Sequence, residues 1–289
     1  MGQAAPAILA AAVTTLLVVA AWLLGERSVI VVILASCVGS AAGLLFAVMS
    51  IRSSIKPVRT SMSVLRLMAR YSAKLYIGSA ADFLHFRQDV LMLGWMAGLS
   101  SVGVYSVGVS FAEIATRLPA AMGSAIQAQA SRVSHESALD LASRAIRLTA
   151  LFAIAVVVFL GVVVSWLIPW LFGPGFAGSV TVFYLLAPGI IANALIWPIS
   201  SYQSARGTVY WRESVSCVAL NVGLNLVLIP LWGYLGAAVA SSVSYALLAG
   251  LLLWRLCGDS GLGPGSFLLT RSEDLRIVVA SARSYMRRR

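Results

Sequence analysis

The chain has 289 residues, 60% hydrophobic and only 11% charged, with a mean hydropathy of +0.91, which excludes an ordinary soluble globular protein. Lys and Arg outnumber Asp and Glu by 21 to 10, for a net charge of +11. Cys37, Cys217 and Cys257 stand far apart in sequence and offer no paired metal spacing, so they read as free packing thiols.

A hydrocarbon layer of about 30 Å is crossed by about 20 residues of helix. Eight apolar runs are long enough: 6–24, 29–51, 75–97, 104–130, 148–172, 179–201, 215–231 and 235–256. They are continuous and rich in Ala, Leu and Val rather than alternating, which argues against barrel strands. Within lipid each span must satisfy its own backbone polar groups, and that forces helix. The expected fold class is therefore all-α, a polytopic transmembrane helix bundle of eight spans.

The positive charge follows the same count. Eighteen of the 21 basic residues fall in four zones: 52–74, 132–147, Arg206 with Arg212, and Arg255 onward. These are alternate connections of an eight-span chain, so one side of the membrane carries them all. By the positive-inside rule that side is cytoplasmic, both termini lie there, and the expected location is the cell membrane. The charge thus reports topology, and nucleic acid is not an expected partner.

In chain order, residues 1–51 form a two-helix hairpin closed by "GERS". Residues 52–74 are a linker whose Val64, Leu65, Met68 and Tyr71 alternate with bases, an amphipathic pattern suited to the headgroup layer. Residues 75–257 hold six spans joined by short outer links at 98–103, 172–178 and 232–236. Residues 258–289 are a basic tail whose Arg283 and Arg287–Arg289 are expected to meet anionic membrane lipids. Pro119, Pro188 and Pro198 each remove a backbone donor inside a span and predict kinks.

The third span carries the costliest residues. In "ADFLHFRQDVLMLGW" (81–95), Asp82, His85, Arg87 and Asp89 lie within eight positions, at a depth where charge is expensive. Helical spacing puts Asp82, His85 and Asp89 on one face and Arg87 on the other. The fourth span adds Glu113 and Arg117, one turn apart. Counting outward from a bend near Ser100, Asp82 and Arg117 share a depth, and His85 and Glu113 nearly do. Both are expected pairs across the hairpin, where opposite charges survive together. Such pairs could equally do no more than hold helix register. Arg87 has no carboxylate one turn away, so either another helix neutralises it or it meets an anion in a wet cavity. Asp89 is a candidate coupling-ion or proton site. On the seventh span Asn221 and Asn225 read first as interhelical hydrogen-bonders. No catalytic residue, metal site or cofactor is expected, because the outer links are short and only two histidines are present.

Four stretches, taken in order, resemble a known family: "QDVLMLGWMAGLSSVGVYSVGVSFAEIATRLPAAM" (88–122), "LFGPGF" (171–176), "LLAPGIIANALIWPIS" (185–200) and "NVGLNLVLIPLWGYLGAAVASSVS" (221–244). Over residues 82–255 the chain resembles the C-terminal lobe of polysaccharide and O-antigen flippases, within the multidrug/oligosaccharidyl-lipid/polysaccharide exporter superfamily. The resemblance implies two six-helix lobes around a central cavity, through which lipid-linked glycans of the polyprenyl diphosphate type cross by alternating access. It further implies basic residues that hold the carrier phosphate; Arg87, with Arg117, is the expected substrate-binding position. Residues 1–51 then read as the end of a first lobe, with about four helices expected ahead of Met1. A missing N-terminal half or a homodimer partner would complete the cleft. "IQAQASRVS" departs from the family by lacking a proline. Other readings remain: a cation-coupled drug exporter of the same superfamily, a non-transporting remnant or scaffold, and, last, a glycan-processing membrane enzyme.

Overall fold

A computed structural model describes residues 4–26, 28–52, 61–208 and 210–269, with the backbone alone at several α3 positions that include Asp82 and His85. Residues 53–60 of the 52–74 linker and the tail arginines lie outside the described residues. The helices are α1 (Ala4–Leu23), α2 (Val29–Arg52), α3 (Met62–Ala130), α4 (His135–Phe172), α5 (Ala177–Ala205), α6 (Trp211–Trp232), α7 (Tyr234–Ser260) and the short α8 (Gly265–Leu268). A single 3-10 turn, Pro174–Phe176, joins α4 to α5. Among the described residues, seven helices are long and apolar enough to cross a membrane. The chain is an all-helical membrane protein.

Two compact units divide it, Met1–Arg66 and Leu67–Arg289. In the first, α1 and α2 form a hairpin packed on small residues. A Cβ at Gly39 would lie 2.1 Å from Thr14 Oγ1, and one at Gly43 would lie 2.7 Å from the Pro6 carbonyl oxygen. Gly39 and Gly43 are one turn apart, the spacing that lets two membrane helices approach backbone to backbone. Large apolar side chains such as Leu16, Trp22, Ile30 and Leu44 point outward.

Most of α3 belongs to the second unit; it is two limbs, 62–97 and 99–130, meeting at Gly98, whose φ of 81° and ψ of 169° are non-helical. An unbroken helix rises 1.5 Å per residue, so Arg87 and Glu113 would lie about 39 Å apart. Instead their side chains are 3.7 Å apart, so the second limb folds back along the first. The third and fourth expected spans therefore correspond to the two limbs, and the chain reverses at Gly98, two residues from Ser100. The backbone conformation at Gly98 is open in practice only to glycine. The first limb also begins at Met62, well before residue 75. Arg66, the base between Val64 and Met68, does not interrupt the helix.

The core has two parts. One gathers Leu93, Tyr105, Val164, Ile168, Phe183 and Leu186; the other gathers Ile126, Ile146, Ile199, Leu248, Leu252 and Phe267. The interior helices are α5 and α7, which pack most extensively on each other. They approach closely at Gly189, the residue after a proline. Pro188 has no amide hydrogen, and the next residue, Gly189, donates its N–H to Ser242 Oγ on α7 at 2.9 Å. A Cβ at Gly189 would sit 2.4 Å from Ser242 Cα. The second limb of α3 runs parallel to α5 and also meets it through glycines. Gly108 lies against Ser179 and Val182, and Gly123 against Trp197 and Ser201. Ser179 Oγ donates to the Val104 carbonyl at 2.6 Å beside the first of these contacts.

Arg255 on α7 and Glu213 on α6 form an ion pair at 2.5 Å. Buried Arg147 on α4 donates to the Ser266 carbonyl at 2.7 Å and so holds α8 against the end of the bundle. Trp166, Trp170, Trp232 and Trp254 are exposed near helix ends, where an aromatic belt meets the headgroups.

Candidate functional site

The first limb of α3 presents two kinds of polar residue in opposite directions. Gln88 and Asp89 turn inward and are buried, whereas the Arg87 side chain is 51% exposed. Helical geometry requires this, since residues 87 and 89 differ by about 200° around the axis.

Inward, Asp89 is held by three donors. Its Oδ2 accepts from the Tyr105 hydroxyl and from Ser241 Oγ at 3.0 Å, and its Oδ1 accepts from the Val90 N–H at 2.7 Å. Tyr105 comes from the second limb of α3 and Ser241 from α7. Beside them Gln88 Nε2 donates to Asn221 Oδ1 at 2.7 Å, and Asn225 Nδ2 donates to the same oxygen at 2.5 Å. Asn221 Nδ2 in turn reaches the Ala240 carbonyl at 3.4 Å. A buried polar layer thus links α3, α6 and α7; Asn221 bonds between helices within it, whereas the described bonds of Asn225 stay on α6 with Asn221. Among the described residues, no group of three or more His, Cys, Asp and Glu could hold a metal ion.

Outward, Glu113 lies between two guanidinium groups. Arg87 Nη1 is 3.7 Å from Glu113 Oε1, and Arg117 Nη2 is 4.0 Å from Oε2. Both separations exceed hydrogen-bond length, so each is a loose ion pair. Two positive charges share one negative charge, and the cluster carries a net excess of one. Arg117 is 79% exposed and Glu113 24%. The three side chains line an open pocket of about 350 Å³ together with Phe83, Thr116 and Ala120 from α3 and Asn193 and Trp197 from α5. The pocket lies between the two glycine contacts that join α3 to α5, on the stretch that contains Pro119.

Several expectations change here. Arg87 has no carboxylate on its own turn, yet Glu113 meets it across the hairpin. Gly98 precedes Glu113 by fifteen positions and follows Arg87 by eleven. The difference is about one helical turn, which a long Arg side chain spans. The expected partners Asp82 for Arg117 and His85 for Glu113 concern side chains outside the described residues; Glu113's described partners are Arg87 and Arg117. Tyr105, Ser241 and Asn193 were not singled out in sequence. Tyr105 could have been: it follows Gly98 by seven positions and Asp89 precedes it by nine, so the two share a depth. Ser241 and Asn193 carry no such signal.

Residues 4–181 match the model of a family described as polysaccharide biosynthesis protein. The match runs from α1 into the start of α5, so it includes the α1–α2 hairpin and all of α3. It overlaps the earlier resemblance over residues 82–181. No curated protein matches the chain.

Proposed function

Because the chain belongs to the polysaccharide biosynthesis protein family, of the polysaccharide and O-antigen flippase type, we propose that it is a transporter. Its cargo is a lipid-linked polysaccharide precursor of the polyprenyl diphosphate type, carried across the cell membrane. The observation that carries this reading is the Arg87–Glu113–Arg117 cluster. Two guanidinium groups face an open pocket with one carboxylate loosely between them. An arriving diphosphate offers more negative charge than Glu113 and more acceptor oxygens in the fork geometry that arginine favours. In lipid such a partly neutralised cation pair is costly unless it serves a polar substrate.

Translocation forms and breaks no bond, so this reading calls for no catalytic constellation. Asp89 is assigned the coupling role. Its carboxyl sits on the inward face of the same helical turn as Arg87, so ion binding there and cargo binding outside act on one limb. Asp82 and His85 are the neighbouring charged positions on that limb. The topology that goes with this reading is eight spans with both termini cytoplasmic.

Reconstitution into liposomes with a fluorescent polyprenyl diphosphate sugar tests the proposal. Wild-type protein is expected to carry the label between leaflets. Arg87→Ala is expected to slow it about tenfold or more, the loss of one charge-assisted contact. An unchanged rate removes Arg87 from the mechanism, and no movement by the wild type overturns transport of this cargo.

A further inference from the structure

The pocket has two unlike walls. The α3 wall is charged, with Arg87, Glu113 and Arg117, and the α5 wall offers an amide and an indole, Asn193 and Trp197. These two residues are one turn apart, so they stand one above the other on the same side of α5. Asn193 is 3% exposed, and its Oδ1 is buried with no hydrogen-bond partner among the described residues. A covered, unpartnered amide oxygen is unfavourable, and an apolar residue of similar size would avoid the penalty. It is not an interhelical link of the kind Asn221 makes, because among the described residues no helix supplies a donor to its oxygen. The residue lines an open pocket whose other wall is cationic. Trp197 is 37% exposed, which leaves part of its ring free to be covered.

We propose that the α5 wall is a sugar subsite, in which Asn193 and Trp197 hold the pyranose attached to the phosphate. This deepens the diphosphate reading of the same pocket and rests on it. A sugar supplies both things the wall lacks. Its hydroxyls, or an acetamido N–H, donate to an amide oxygen, and its C–H face packs against an indole. Asn193 Oδ1 is covered, so the sugar meets it after the amide turns about its last side-chain bond. That rotation exchanges donor and acceptor ends within nearly the same volume. A bare phosphate cannot satisfy the oxygen, because both are acceptors. The charged wall therefore reads the carrier and the α5 wall reads the first sugar.

The test compares two probes, farnesyl diphosphate and farnesyl diphosphate bearing one N-acetylglucosamine, binding to the full chain in lipid nanodiscs. Wild-type protein is expected to bind the sugar-bearing probe about three- to tenfold more tightly, the gain of one good hydrogen bond and a ring contact. Asn193→Ala and Trp197→Ala are each expected to bring that ratio toward one. Both should leave farnesyl diphosphate affinity within about twofold of wild type, which also shows that they fold. Trp197→Phe keeps a ring and should keep most of the ratio. Arg87→Ala should weaken both probes and preserve the ratio. A wild-type ratio of one, or a ratio unchanged in both alanine variants, overturns the sugar subsite while the diphosphate reading stands. If neither probe binds wild type, the diphosphate reading fails and the subsite with it.

Discussion

The Tyr105 hydroxyl donates to the Asp89 carboxyl across the reversal of α3, joining the two limbs in the buried interior. The pair has a third member in Ser241 of α7, which donates to the same carboxyl oxygen at 3.0 Å. Tyr105→Phe removes one donor and leaves the acceptor buried, at an expected cost of about 1–3 kcal/mol. A double-mutant cycle with Asp89→Asn, read by thermal unfolding in detergent, measures the coupling. Strict additivity would mean that the two side chains do not interact.

Gly98 is a backbone requirement without a packing requirement. Nothing lies within 4 Å of where its Cβ would stand, yet its φ of 81° and ψ of 169° suit no other residue well. Gly98→Ala is expected to destabilise by about 1–3 kcal/mol through strain alone. Gly103→Ala is the control. It lies in a helix with Phe176 Cε1 no closer than 3.9 Å, and should be neutral or stabilising. Equal melting temperatures for the two variants would contradict the assignment of strain to the bend.

Glu113 competes with any anion for Arg87 and Arg117. Because these side chains are partly exposed, each pair contributes at most about 1 kcal/mol. Glu113→Gln should therefore tighten farnesyl diphosphate binding about two- to fivefold, since both guanidinium groups are released. Titration of the probe in nanodiscs reads the change. Weaker binding in Glu113→Gln would show that the carboxylate positions the arginines more than it occupies them.

The α5–α7 contact predicts a steric effect of known sign. Gly189→Ala places a methyl group 2.4 Å from Ser242 Cα, where the backbone must move, at an expected cost of about 1–3 kcal/mol. Gly250→Ala, on α7 with open space around it, should be tolerated. Melting of both variants in detergent separates a packing effect from a general intolerance of alanine in these helices.

Much of the helical architecture was legible, because lipid leaves the chain few choices. An apolar run of about 20 residues has to be helix, and every helix from α1 to α7 contains at least one such run. The hairpin of α3 was legible from its two apolar runs and the short link between them; the charge pair that closes it, Arg87 with Glu113, was not, because the depths matched Glu113 to His85 instead. The pivot was only roughly legible. Both Gly98 and Ser100 stand in the turn, and only the backbone dihedrals distinguish them. The start of α3 was missed for a related reason. Alternating bases and apolar residues after Met62 fit an interfacial segment and a helix end equally well. The uncharged members of the site were least visible. Ser241 sits in a run of small residues that reads as packing, and Asn193 is one amide in an apolar stretch. What sets them apart is which helix face each meets, a property of the assembled bundle.

The glycine contacts at residues 108 and 123 have a consequence for cargo choice. They pin α3 to α5 above and below the opening that holds Arg87 and Asn193, much as two rivets set the gap of a slot. A methyl group at Gly123 would stand 2.8 Å from Ser201 Oγ and lever one rivet apart. On the transport reading proposed above, the aperture, and with it the girth of glycan admitted, depends on two glycines that do not line the pocket.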